Sequence, residues 1–231
     1  MCDLDDTLVV RAPLFRRWAE ELLREEGRPA DLVDWLVEQD RGGHRPRGEF
    51  AAALVERLGL PGPVEDLALE HDSRIDNSYR LTDGVRSALD DARAAGWSFA
   101  ILTNGPVAAQ TRKIKASGLD ELADAICISE EVGHSKPHRA MFDAAAERAG
   151  TTLEGAWMIG DNLDADIAGA HGVGARSVWV PNEHEWVTFE SGTEPDLVAD
   201  DFPDAVRQVL ESSGGAAPLS EQAARRARAS Y

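Results

Sequence analysis

An α/β fold is predicted, a doubly wound parallel sheet with a small α-helical insert, on three observations. From residue 82 onward, helix-length amphipathic segments alternate with short apolar runs, the pattern of a parallel sheet covered on both faces. Between residues 12 and 80 the pattern is helical throughout. A chain of 231 residues is long enough to bury one such core and carry a small insert.

Within 12–80, apolar residues recur at three- and four-residue steps over 13–26, 31–39, 49–58 and 64–72, which predicts four helices. Gly-Arg-Pro at 27–29 and Gly-Leu-Pro-Gly-Pro at 59–63 read as the turns between them. The later segment predicts, in order, a helix over 82–95, a strand over 98–102, a helix over 106–117 and a strand over 125–128. A helix over 137–149, a strand over 156–159, a helix over 164–171 and a strand over 177–180 follow. A short strand near Leu197 and a helix over 203–210 complete the series. The expected organisation is a core from 1–11 and 81–211 with an insert over 12–80. The Ser/Gly/Ala-rich stretch at 212–218 reads as a linker, and the tail to 231 holds too few apolar residues to pack, so it is expected to be disordered or transiently helical.

Composition narrows the function classes. The formal charge of −18 disfavours nucleic acid as a partner. No apolar run approaches the roughly 18 residues of a membrane helix and the start lacks a signal-peptide pattern. Two cysteines, Cys2 and Cys127, suggest reduced thiols in a cytoplasmic protein. Among 24 basic residues only Lys113, Lys115 and Lys136 are lysine. Lys136 is therefore read as chosen for its compact ammonium, which suits a crowded anionic site better than a planar guanidinium. Lys113 and Lys115, beside Arg112 on a predicted helix, read as a solvated face.

Four short segments carry chemistry: Asp3-Leu4-Asp5-Asp6-Thr7, Thr103-Asn104-Gly105, Ser135-Lys136-Pro137 and Gly160-Asp161-Asn162, the last leading to Asp164 and Asp166. Singly, each is an ordinary acidic loop, turn or helix cap. Their order and their common position at strand ends give them weight, because ligands of open α/β sheets bind at that edge. Together they describe an acidic metal site with one cation and one hydroxyl beside a nucleophilic carboxylate. Such a set suits a phosphate monoester, whose dianion repels an attacking carboxylate unless Mg²⁺ offsets part of the charge. Asp3 is the natural nucleophile. Asp5 is placed to protonate the leaving oxygen and later to accept a proton from water. Donors from Thr103, backbone N–H groups and Lys136 can stabilise charge on the transferring group.

With these motifs in this order, the sequence resembles the haloacid dehalogenase-like hydrolase superfamily over roughly residues 2 to 211. The resemblance implies a Rossmann-like core with a helical cap inserted between the first and second motifs, hinged near 10–13 and 79–83. It implies Asp3 as nucleophile, Asp5 as acid/base, and Thr103, Asn104 and Lys136 as substrate-binding. It gives Mg²⁺ to Asp3, the Asp5 carbonyl and Asp161, with Asp166 supporting metal or lysine. Asp164 is read as solvent-facing or capping. Dehalogenating members lack an aspartate two residues after the nucleophile, so Asp5 points to a phosphatase or phosphomutase acting on a small phosphorylated metabolite. A non-catalytic binding or regulatory module on the same fold is the alternative of another class, and the intact cluster of repelling charges argues against it.

In the insert, the loop over 40–47 carries Arg41, Arg45 and Arg47 with His44. It reads either as a solvated connection or as a specificity loop for the distal part of an anionic substrate. His138 is expected to begin a helix and His134 to lie in a loop. Trp179 and Trp186 flank a loop that could line the rim of a pocket, with packing the better reading. The resemblance also implies a central strand of about five apolar residues before the nucleophile, where only Met1 and Cys2 precede Asp3. The first core strand is thus expected to be truncated and to leave neighbouring backbone groups unpaired, at about 1–3 kcal/mol each. The expectation that follows is a native start further upstream, and poor stability or weak activity for the chain as it stands.

Overall fold

A computed structural model describes residues 1–43, 45–181 and 194–214. The expectations for His44, for 182–186 after Pro181, and for the tail from 215 lie outside the described residues. The chain divides into two compact units, one being Val10–Tyr79 and the other Met1–Val9 with the described part of Arg80–Tyr231.

The unit Val10–Tyr79 holds four α-helices: α1 (Ala12–Glu25), α2 (Leu32–Asp40), α3 (Arg47–Leu58) and α4 (Val64–Asp76). Pro13 fits the first turn of α1, where its missing N–H costs nothing. Phe15, Trp18, Ala19 and Leu23 form the buried stripe of that helix. Phe15 packs on Trp18 at 5.3 Å and edge-on to Phe50 at 5.9 Å between ring centroids, an arrangement aromatic quadrupoles favour. Buried Asp40 receives Arg11 through two hydrogen bonds, one of 2.9 Å, and Arg47 at 3.3 Å.

In the other unit, α5 (Asp83–Ala94) is followed by β1 (Ala100–Thr103), α6 (Val107–Ser117), β2 (Ala125–Ile128), α7 (Ser129–Val132) and α8 (Arg139–Arg148). Next come β3 (Trp157–Gly160), a π-helical turn over Leu163–Ala168, α9 (Gly169–Val173), β4 (Arg176–Trp179), β5 (Leu197–Val198) and α10 (Phe202–Ser212). Thr82 caps α5, its hydroxyl accepting from Val85 N at 3.2 Å. All strand pairs are parallel: β1 with β2, β3 with β4 and β4 with β5. Residues of β1, β2 and β3 are buried almost throughout, as a sheet covered on both faces requires. Ala100, Leu102, Ala125, Cys127 and Met158 pack with Met141, Phe142 and Ala145 of α8, and α10 packs against α5 and β3.

The centre of the sheet is Met1–Asp3. Cys2 N donates to Ala100 O (2.8 Å), and Cys2 O accepts from Leu102 N (2.9 Å). Opposite, Met1 O accepts from Ile159 N (3.0 Å) and Asp3 N donates to Ile159 O (2.9 Å). The Met1 ammonium adds a bond to Trp157 O at 2.8 Å. Met1–Asp3 joins both halves in the order β2, β1, Met1–Asp3, β3, β4, β5. This corrects the expectation of unpaired neighbours at Ala100, Leu102, Trp157 and Ile159. Beside Met1, between Phe99, Trp157 and Phe202, lies a cavity of about 100 Å³.

Candidate active site

Because Met1–Asp3 pairs in parallel with β1 on one side and with β3 on the other, the carboxyl ends of these three segments share one edge of the sheet. That edge is the switch point where open α/β sheets bind ligands. Asp3, Thr103 and Gly160-Asp161 lie there. After Asp3 the chain turns tightly, with Leu8 and Val9 N–H donating to Leu4 O at 3.1 Å and Asp6 at φ 56°, a left-handed conformation aspartate tolerates.

Lys136 is the hub. Its side chain is 2% exposed, and its ammonium reaches Asp3 Oδ1 at 2.5 Å, Asp166 Oδ1 at 2.7 Å and Leu102 O at 2.8 Å. Burial disfavours its charge, but Asp3 and Asp166 outweigh burial and raise the pKa above the ordinary lysine range. Asn104 sets the lysine's backbone: Asn104 Oδ1 accepts from Lys136 N at 2.8 Å, and Asn104 Nδ2 donates to Lys136 O at 3.1 Å. Asp166 is wholly buried; its Oδ2 accepts from Asn162 N at 3.1 Å. Gly160 makes this possible, since a Cβ there would overlap the Asp166 carboxyl group.

Asp161 is held by Trp179, whose Nε1 donates to Asp161 O at 2.8 Å, and by Thr7, whose hydroxyl donates to Asp161 Oδ1 at 3.4 Å. One oxygen each from Asp3, Asp161 and Asp166 lies within 4.8 Å of the others, the one such group of potential ligands among the described residues. Burial, then Asp3 and Asp166, push Asp161 up to about 8. Burial and Asp3, partly offset by Lys136, raise Asp166 to about 6. Three crowded carboxylates facing a single ammonium form a donor set that suits a hard divalent cation.

Thr103 is buried at the end of β1, and its hydroxyl oxygen accepts from Gln110 Nε2. The same Nε2 donates to Asp5 Oδ2 at 3.0 Å. The Lys113 ammonium meets both Asp5 oxygens, at 2.8 and 2.9 Å. This corrects the solvated reading of Lys113, while Lys115 is exposed as expected. Gln110, Ile114 and Ser117 are the buried stripe of α6, and Lys113 stands three residues after Gln110 on that side. The stripe could have been read from the sequence; the basic neighbours Arg112 and Lys115 obscured it.

The remaining predicted positions fall as follows. Asp164 is exposed, and the cap of the π-helical turn is Asn162, whose Oδ1 accepts from Asp164 N and Ala165 N. His138 caps α8 and stacks on His134 at 4.0 Å. In the unit Val10–Tyr79, Arg41 ends α2 in a left-handed conformation. Arg45 bonds Gln39 and lies 4.0 Å from Glu49, and Arg47 bonds Asp40.

The family model for haloacid dehalogenase-like hydrolases matches residues 1–174. The chain belongs to that family. Among its relatives, a phosphoserine phosphatase of Thermus thermophilus is 37% identical over 218 residues, covering 78% of this chain and 87% of that one. A glyceraldehyde 3-phosphate phosphatase of Pyrococcus furiosus is 30% identical over 225 residues, 92% of each chain. Among solved structures, a HAD-hydrolase of Bacillus subtilis bound to magnesium shares the fold, with a TM-score of 0.64 at 21% identity, over 90% of this chain and 96% of that one. This HAD-like hydrolase is accordingly an enzyme, and both of the relatives just named are phosphatases. No helix among its described residues is long and apolar enough to cross a membrane.

Proposed function

We propose that this HAD-like hydrolase is a Mg²⁺-dependent phosphomonoesterase that acts on a small phosphorylated metabolite through an aspartyl-phosphate on Asp3. The observation that carries the reading is the meeting of Asp3, Lys136, Asp161 and Asp166 beside Thr103 at one edge of the sheet. Held by Asp3, Asp161 and Asp166, Mg²⁺ would supply positive charge that offsets the phosphate dianion.

Lys136 grips Asp3 Oδ1 at 2.5 Å and so orients the carboxylate. An oxygen of Asp3 attacks phosphorus and the bond to the leaving oxygen breaks, while Asp5 delivers a proton to that oxygen. Asp5, now a carboxylate, takes a proton from water; the water oxygen attacks phosphorus, the bond to Asp3 breaks, and phosphate and free Asp3 result. The Thr103 hydroxyl and the Lys136 ammonium stabilise charge on the transferring oxygens. Two free, buried cysteines, Cys2 and Cys127, fit a reducing, cytoplasmic setting.

The test is release of inorganic phosphate from a panel of phosphorylated metabolites, beginning with phosphoserine and glyceraldehyde 3-phosphate because relatives are named for them. Activity should require Mg²⁺ and disappear in Asp3→Asn. Full turnover in excess EDTA, or in Asp3→Asn, would refute the mechanism.

A further inference from the structure

Asp5 does not stand alone at the edge of the site. We infer that Lys113 is a positioning residue for proton transfer by Asp5, and that Gln110 ties the same carboxyl group to Thr103; the inference rests on the proposed phosphomonoesterase reading. The Lys113 ammonium meets both oxygens of Asp5, at 2.8 and 2.9 Å, with side chains 14% and 32% exposed. Two contacts on one small carboxyl group fix its plane, where a solvated aspartate would rotate freely. Gln110 is buried, and its Nε2 donates to Asp5 Oδ2 and the Thr103 hydroxyl oxygen, with Asn104 O a longer contact at 3.4 Å.

A hydroxyl has one proton and can both accept and donate. With its oxygen accepting from Gln110, the Thr103 hydroxyl keeps its own proton for an anion at the strand end. One amide therefore orients the phosphate-binding donor and the proton-transfer group together. The close approach depends on Gly105, at φ 144°, where a Cβ would stand 3.3 Å from the Gln110 Cγ and Cδ atoms. Loss of Lys113 removes the contacts to both Asp5 oxygens, so the carboxyl group is freed to adopt orientations from which no proton is delivered.

The test exploits what a general acid does. Protonation matters greatly for an alkoxide leaving group and little for a stabilised phenolate. General acid catalysis contributes about 10²–10⁴-fold, and mispositioning should forfeit part of that. Second-order rate constants kcat/KM are measured for an alkyl phosphate and for 2,4-dinitrophenyl phosphate with Lys113→Met, Lys113→Arg, Asp5→Asn and Asp3→Asn. Lys113→Met should lose roughly tenfold or more additional activity on the alkyl ester than on the aryl ester, with the same preference stronger in Asp5→Asn. Lys113→Arg, which can still hold both oxygens, should recover most of the difference. Asp3→Asn should abolish both reactions.

Equal losses on the two esters in Lys113→Met, with selectivity preserved in Asp5→Asn, would overturn the inference alone and leave Lys113 a structural ion pair. An Asp5→Asn variant with no leaving-group preference would overturn the acid/base role as well. Activity in Asp3→Asn would identify the failure as that of the phosphomonoesterase reading itself.

Discussion

Replacing Lys136 by methionine keeps the reach of the side chain and removes the one charge that reconciles Asp3 with Asp166. In the native protein the ammonium makes three contacts of 2.5–2.8 Å, and Asp166 is fully buried. Breaking a buried ion pair by removing one partner typically costs about 3–5 kcal/mol, against total stabilities of roughly 5–15 kcal/mol. For a chain of this size that corresponds to a fall in Tm of roughly 6–20 °C. The loss must depend on pH. With the lysine present, Asp166 sits at about 6, already above the ordinary carboxyl value of 3.8, and its removal drives the folded-state pKa higher. A group whose pKa is raised by folding holds its proton in the native state. At pH below the unfolded value both states are protonated and the penalty vanishes; as pH rises from the unfolded value to the folded one the penalty grows, by up to about 1.4 kcal/mol per pH unit, so native protein and variant diverge only above about 6, where their folded values part. Calorimetry in EDTA near pH 5 and near pH 8 should therefore show Lys136→Met close to the native protein at the lower pH and far below it at the higher. A variant equally stable at both, or destabilised equally at both, would refute the account of Lys136 as the compensating charge.

Three further outcomes follow from the same geometry. Asp161, pushed up to about 8 chiefly by burial and then by Asp3 and Asp166, strains the metal-free fold as pH rises through that value. Asp161→Asn should thus raise stability in EDTA near pH 8 by at least about 1 kcal/mol, while abolishing the rise in Tm that Mg²⁺ gives the native protein; an unchanged Mg²⁺ response would count against Asp161 as a ligand. Gly160→Ala inserts a methyl group into the Asp166 carboxyl position and should cost about 1–3 kcal/mol with a matching loss of phosphate release, and ordinary activity would show that Asp166 can move without consequence. If Arg41, Arg45 or Arg47 recognises the distal part of the substrate, its alanine variant should raise KM for the best metabolite and leave KM for a small aryl phosphate nearly unchanged. Parallel changes on both substrates, read from steady-state kinetics, would make the loop a solvated connection.

Part of the site was legible because Thr103 and Asp161 each follow a readable apolar run. Ile101-Leu102 leads into Thr103 and Met158-Ile159-Gly160 into Asp161, so strand ends and chemistry coincide in the sequence. Lys136 stood out through scarcity, since arginine supplies most other positive charges. What escaped depended on phase. The run Arg112-Lys113-Ile114-Lys115 has the composition of a solvated face, and which basic residue turns inward is fixed by Gln110, Ile114 and Ser117 being buried. The predicted helix over 164–171 opens instead as a π-helical turn over Leu163–Ala168. There Asp166 turns inward to the lysine and to Asn162 N, tertiary demands that no local propensity expresses. The pairing of Met1–Asp3 escaped for a similar reason. Its hydrogen bonds to two neighbours at once are tertiary contacts that the segment's own sequence does not express.

The charge arrangement also sets what the site can select. A chain of net charge −18 repels a phosphate dianion over distances comparable to the Debye length, about 8 Å at physiological ionic strength, so attraction must be generated within the site itself. Lys136 alone cannot do so while it balances Asp3 and Asp166. A divalent cation among the three carboxylates would relieve the repulsion that raises Asp161 and Asp166, and protons held by these groups would be released as it binds. On the proposed reading, metal binding, proton release and substrate attraction would be one coupled event: the groups that destabilise the metal-free fold would be the same groups that bind the cation, and the lysine would be freed to act on the phosphate only when they are neutralised.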